Sequence, residues 1–136
     1  MASHLQGLDW RRLGAWVVTC IIYCYPLLSV ADDTEFKQFD EPNLDFGRSV
    51  WLGTCRNCHA TGFASAPPVK KYAAWESRLK QELETLYQHA LEGFYGVDYA
   101  YMPPRGGNDK LSDDEVKAAV DYMIALVKNI KQEIDK

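Results

Sequence analysis

The five residues Cys55-Arg56-Asn57-Cys58-His59 constrain this chain more than any other feature, because the fold must be built around whatever two thiols and an imidazole hold together. The other two cysteines, Cys20 and Cys24, lie in LGAWVVTCIIYCYPLLSV, residues 13–30, an uncharged run that follows Arg11 and Arg12. A basic start, an apolar middle and small residues at Ser29 and Ala31 predict a secretory signal over 1–31, cleaved after Ala31. The same run approaches a membrane-spanning length, so an uncleaved anchor is the other reading, and the only membrane attachment the sequence offers. Either way Cys20 and Cys24 read as small apolar residues of that segment. Removing 31 of the 136 residues leaves one domain of about 105, too small for a second substantial core.

In an exported chain the surviving thiols have four chemical readings. A disulfide across two residues closes a tiny loop and stabilises little. A thioredoxin-like dithiol needs a βαβ pattern around it, whereas the downstream sequence has helical spacing. A structural zinc ion needs four ligands, and beyond Cys55, Cys58 and His59 the domain offers only the distant His89. The remaining reading is covalent haem attachment, for which C-x-x-C-H is the known pattern. Two thiols at this spacing can add to the two vinyl groups of one porphyrin, and the adjacent histidine then meets the iron from one face.

The periodicity predicts helices. Over 44–54, Phe46, Val50 and Trp51 share a spacing, and Gly47 would let a second helix approach closely. Ser112 and Glu115 form a capping box that opens a helix over 113–131, with Val116, Val120, Met123, Ile124 and Val127 on one face beside Tyr122. Between them, Tyr72, Trp75, Leu79, Leu83, Leu86, Ala90 and Leu91 keep helical spacing as far as Gly93. No alternating strand is evident, so the expected class is all-α. The acidic lead-in DDTEFKQFDEPN, residues 32–43, has no periodicity and predicts a mobile tail before a domain over 44–136.

A second ligand on the iron has three candidates. Met102 precedes Pro103-Pro104, which push it out of helical geometry and stiffen the backbone presenting its sulfur. His89 lies within a helical pattern, and Met123 falls on the apolar face of the last helix. The net charge of −4 and the lack of a basic stripe argue against nucleic-acid binding.

With these residues in place, the chain resembles class I c-type cytochromes, and within them the monohaem cytochrome c5 group. The resemblance covers about 44–130. It is carried by Gly47, Trp51, Cys55-x-x-Cys58-His59 and Tyr122, and by Ala64-Ser65-Ala66-Pro67, Ala73-Ala74-Trp75, His89 to Phe94 and Met102-Pro103-Pro104-Arg105-Gly106-Gly107. It implies a fold in which N- and C-terminal helices cross, and one covalent haem c on Cys55 and Cys58. It also implies His59 as proximal iron ligand, Met102 as distal iron ligand, and a proline carbonyl, expected at Pro67, bonded to the other His59 ring nitrogen. The implied role is a periplasmic electron carrier, not an enzyme, passing single electrons between a donor and a terminal oxidase or reductase as a monomer or weak dimer. The competing role is a haem enzyme subunit or ligand sensor with an open distal position. Two further expectations concern the surroundings of the cofactor. Trp75 is either core or a haem-propionate donor, and Arg105 either pairs with a propionate or joins Arg56, Lys70 and Lys71 in docking an acidic partner.

Overall fold

The computed structural model describes residues 35–97 and 100–136. The expected signal, with Cys20 and Cys24, lies outside the described residues.

Helix α1 (Pro42–Val50) starts with proline in its first turn, where the missing N–H would have no partner. The path continues through a π-helical turn, Trp51–Cys55, into the short helix α2 (Arg56–His59). At the junction the Arg56 N–H donates to Trp51 O, five residues back, which widens the turn just before the second thiol. The helical path is therefore longer than the expected 44–54 at both ends.

The long helix α4 (Asp113–Ile134) crosses α1, and the crossing is permitted by one missing side chain. A Cβ on Gly47 would overlap the Ala118 carbonyl and stand 3.1 Å from Tyr122 Cβ. Backbone thus packs on backbone, and Trp51 and Tyr122 close the crossing with ring centroids 5.7 Å apart. Phe46, expected on the contact stripe, is exposed, because Gly47 and Val50 take that face. The capping box of α4 is complete: Glu115 N–H donates to Ser112 Oγ at 3.3 Å, and Ser112 N–H donates to Glu115 Oε2 at 2.7 Å. The Ser112 N–H, joined by the Ser112 hydroxyl on the same oxygen, holds the Glu115 carboxyl below the usual carboxylate range. The helix runs three residues beyond the expected Lys131.

The single middle helix suggested by the spacing is divided. Short 3₁₀ turns at Tyr72–Ala74 and Arg78–Lys80 precede α3 (Leu83–Glu92), and Gln81 and Glu82 between them are extended. The reason is that the stripe serves two separate cores. Trp75 and Leu79 pack with Trp51 and Tyr122, whereas Leu86 and Ala90 pack with Val116 and Val120. A straight helix would have to face both at once.

One more expectation is corrected. Among residues 35–41, Phe36 is only 2% exposed and meets Trp51 edge-on with centroids 4.6 Å apart. Arg48 Nε donates to Phe36 O, and Tyr122 Oη donates to Lys37 O. The segment expected to be a tail is thus stitched to both crossing helices, and burying one phenylalanine adds about 2 kcal/mol against leaving it in water. There is also a two-stranded antiparallel hairpin, β1 (Phe94–Tyr95) and β2 (Tyr101–Met102), within an otherwise helical fold. Its strands of two residues are too short for alternation to show in sequence. No helix among the described residues is long and apolar enough to cross a membrane.

Candidate functional site

The π turn and α2 bring Cys55, Cys58 and His59 to one wall of a cavity of about 620 Å³. The His59 side chain is 6% exposed, and its Nδ1 lies 3.0 Å from Pro67 O. A carbonyl only accepts, so Nδ1 carries the proton and Nε2 keeps its lone pair. Burial pushes the His59 pKa down, against the opposing pull of the Pro67 carbonyl, and the Arg78 charge adds to the lowering. The ring is therefore a neutral donor with fixed tautomer.

Both carbonyls of the double proline are used. Pro68 O accepts from Trp75 Nε1 at 3.0 Å, and Trp75 is buried with its ring 6.0 Å from that of His59. Trp75 is therefore a core residue whose indole N–H is taken, which corrects its candidacy as a propionate donor. The chain reaches Pro67 through left-handed backbone at Gly62, Ala64 and Ser65. Their φ values of +90°, +51° and +63° turn it back toward the histidine.

The thiols are not bridged. Burial raises the Cys55 pKa to about 11, with the neighbouring Cys58 adding a smaller push. A redox dithiol needs a stabilised thiolate, and this environment does the reverse. Among the described residues no three His, Cys, Asp or Glu side chains converge as a bare metal ion requires. What the wall offers is two thiols beside one imidazole.

Met102, on β2, also lines the cavity; it stands opposite Phe94 in the hairpin register and packs against Ala90, Val116 and Val120. The approach is tight: a Cβ on Gly93 would stand 2.9 Å from Met102 O and 3.0 Å from Pro104 Cδ. His89 and Met123 also line the cavity, so all three sequence candidates face one space. They differ in their supports. The His89 ring lies tilted against Phe94 with centroids 4.1 Å apart, and Met123 is buried in the main core, while Met102 stands on a strand and leads into two prolines.

Arg105 is not on the wall of this cavity. Its Nη1 donates to Leu111 O at 2.9 Å and its Nη2 to Asp113 Oδ1 at 2.6 Å, so two of its donors are engaged by protein acceptors. Lys70 pairs with Glu35 at 2.6 Å, and both Lys70 and Arg56 sit over the Phe36 ring. The expected docking set is thus partly engaged within the fold.

The sequence reading missed the mouth of the cavity. Phe63, Tyr95, Val97 and Tyr101 line it while remaining exposed, Tyr95 and Val97 by 76% and 80%. The available signal was the density of aromatic residues around Gly96, FYGVDYAYM over 94–102, which periodicity does not weigh.

Crossing helices, a mostly apolar cavity within the usual ligand-site range of about 300–1,000 Å³, and a wall of two thiols and an imidazole define a c-type cytochrome domain. Comparison with known proteins bears this out. Residues 42–123 match the family described as "Cytochrome C oxidase, cbb3-type, subunit III". Cytochrome c-555 of Chlorobaculum tepidum is 40% identical over 78 residues, 57% of this chain and 71% of that protein. Cytochrome c5 of Azotobacter vinelandii is 40% identical over 82 residues, 59% of this chain and 93% of the relative. Among solved structures, a chain from "Crystal structure of electron transfer complex of nitrite reductase with cytochrome c" superimposes with a TM-score of 0.53 at 33% identity, covering 64% of this chain and 96% of that one. The chain belongs to this family of c-type cytochrome domains, in its class I monohaem form. Its cofactor is one covalently attached haem c with its iron.

Proposed function

We propose that the protein is an exported single-electron carrier in which Cys55 and Cys58 would hold the haem through thioethers, while His59 and Met102 would be the protein ligands of its iron. The His59 ring is the observation that carries this: Pro67 O engages Nδ1 at 3.0 Å, leaving Nε2 as the coordinating nitrogen on a ring that lines the cavity. When bound, the haem supplies an iron that cycles between ferrous and ferric states.

The contribution of the chain is to position and to exclude. Both cysteines and the histidine belong to one helical path, so thiols and imidazole are placed together by local geometry. Met102 offers a thioether, a softer and weaker donor than imidazole, and favours the reduced state. Leu86, Ala90, Val120 and Ile124 furnish apolar walls, which keep water away and limit reorganisation when charge changes. With a protein donor on each side no position stays open for a substrate, which separates a carrier from a haem enzyme or ligand sensor.

Residues 1–31 direct export to the periplasm and are removed after Ala31, and the remaining protein works as a monomer or weak dimer. It takes electrons from one redox protein and delivers them to another, a terminal oxidase or reductase of a respiratory chain. The likeness to a cytochrome c solved in complex with nitrite reductase supports a redox-protein partner. The test is the intact mass of the product exported from a host that attaches haem. A chain beginning at Asp32 and carrying one haem is expected; a colourless product of unmodified mass overturns the reading.

A further inference from the structure

In the turn Pro104–Gly107, Arg105, Gly106 and Gly107 are left-handed in succession, at φ +53°, +65° and +82°. Glycine occupies that region freely, whereas an arginine there is strained and must be held in place by its surroundings. What holds Arg105 is its own side chain. The guanidinium is 27% exposed and donates through two nitrogens, Nη1 to Leu111 O at 2.9 Å and Nη2 to Asp113 Oδ1 at 2.6 Å. Leu111 and Asp113 flank Ser112, the cap of α4, so the fork clips the turn to a fixed helix end.

The turn is also anchored on its other side. Asn108 Nδ2 donates to Thr54 Oγ1 at 3.3 Å, next to Cys55, and a Cβ on Gly106 would stand 3.0 Å from Thr54 Cγ2. Between Arg105 and Met102 stand only Pro103 and Pro104. Their rings fix φ and leave only ψ free, so a shift of the turn at Arg105 reaches Met102 with less absorbed by the backbone between than in an ordinary segment.

We propose that Arg105 is a positioning residue, a latch that holds the Met102 sulfur at the iron by clipping the Pro103-Pro104 segment to the start of α4. The proposal rests on Met102 being the distal ligand. Its consequence is a population: the latch sets the fraction of molecules in which the thioether is seated, and an external ligand that needs the vacated position binds in proportion to the unseated fraction.

Arg105→Gly separates this role from a merely structural one, since glycine relieves the left-handed strain while removing the fork. The experiment titrates the ferric holoprotein with imidazole and follows the sulfur-to-iron charge-transfer band, with thermal unfolding recorded alongside. Arg105→Gly is expected to weaken the band and tighten apparent imidazole binding by about tenfold. Arg105→Lys keeps a cation but not the fork and should fall between the two, and Asp113→Asn should move the same way by less. These two variants carry the test if the glycine variant does not accumulate. Band and imidazole affinity within about twofold of the parent in all three variants overturn the latch. A parent protein lacking the band, or a Met102→Ala variant retaining it, overturns the ligand assignment beneath it instead.

Discussion

The cysteine wall and the methionine wall of the cavity are built in opposite ways. Cys55, Cys58 and His59 hang from one helical path that is locked by the Gly47 crossing, and a backbone carbonyl orients the ring. Met102 stands on a strand of two residues and is followed by a turn whose left-handed backbone is held by side-chain bonds from Arg105 and Asn108. Local helical geometry places the first wall; long-range contacts assemble the second. The first is therefore suited to covalent attachment, which must occur once. The second depends on individual side-chain bonds, each of which a single substitution can remove.

The contrast is sharpest when one donor is removed from each side. His59→Ala should leave little haem-loaded protein, whereas Met102→Ala should keep covalent haem, lose the sulfur-to-iron band and lower the midpoint potential by on the order of 0.1–0.3 V, within the ~0.8 V spanned by axial ligation. Haem content by absorbance and a redox titration check both. Equal loss of haem in the two variants would break the comparison.

Next in size is the support of the cysteine wall. Gly47→Ala pushes a methyl into the Ala118 carbonyl, and parting the helices should cost about 3 kcal/mol in denaturant unfolding. A loss well under 1 kcal/mol would mean that the crossing is not rigid.

The smallest effect belongs to the helix end on which the methionine wall is clipped. Ser112→Ala should cost about 1 kcal/mol near neutral pH. The Ser112 backbone N–H bond, the stronger of the two that hold the Glu115 carboxyl below the ordinary value, survives in the variant; only the Ser112 Oγ–H bond to Oε2 is lost, so that part of the difference is present above the ordinary value and fades as pH falls through the depressed one. The difference between parent and variant should accordingly shrink in acid. A difference that grew on acidification would contradict the assignment.

The same division explains what could be read from sequence. The C-x-x-C-H motif, the Gly47 contact, the capping box and the buried face of α4 all have local periods or fixed offsets, and the structure shows the helices and the cap where those place them. The break at Gln81 and Glu82 has no local signal, because two cores on different sides demand it. Phe36 lies in an acidic segment without periodicity, and its burial depends on Trp51, fifteen residues away in a different element. Trp75 and Arg105 carry N–H donors that any fold must place. Their acceptors, Pro68 O, Leu111 O and Asp113, were set by how the loops fold, which residue type alone does not specify.

The central claim is that protein donors from both walls meet one iron. Carbon monoxide added to the reduced protein at neutral pH tests it most directly, since that ligand needs a vacant axial position. No rapid binding to the parent is expected, and ready binding once Met102 is replaced by alanine. Rapid, stoichiometric binding to the parent would contradict it.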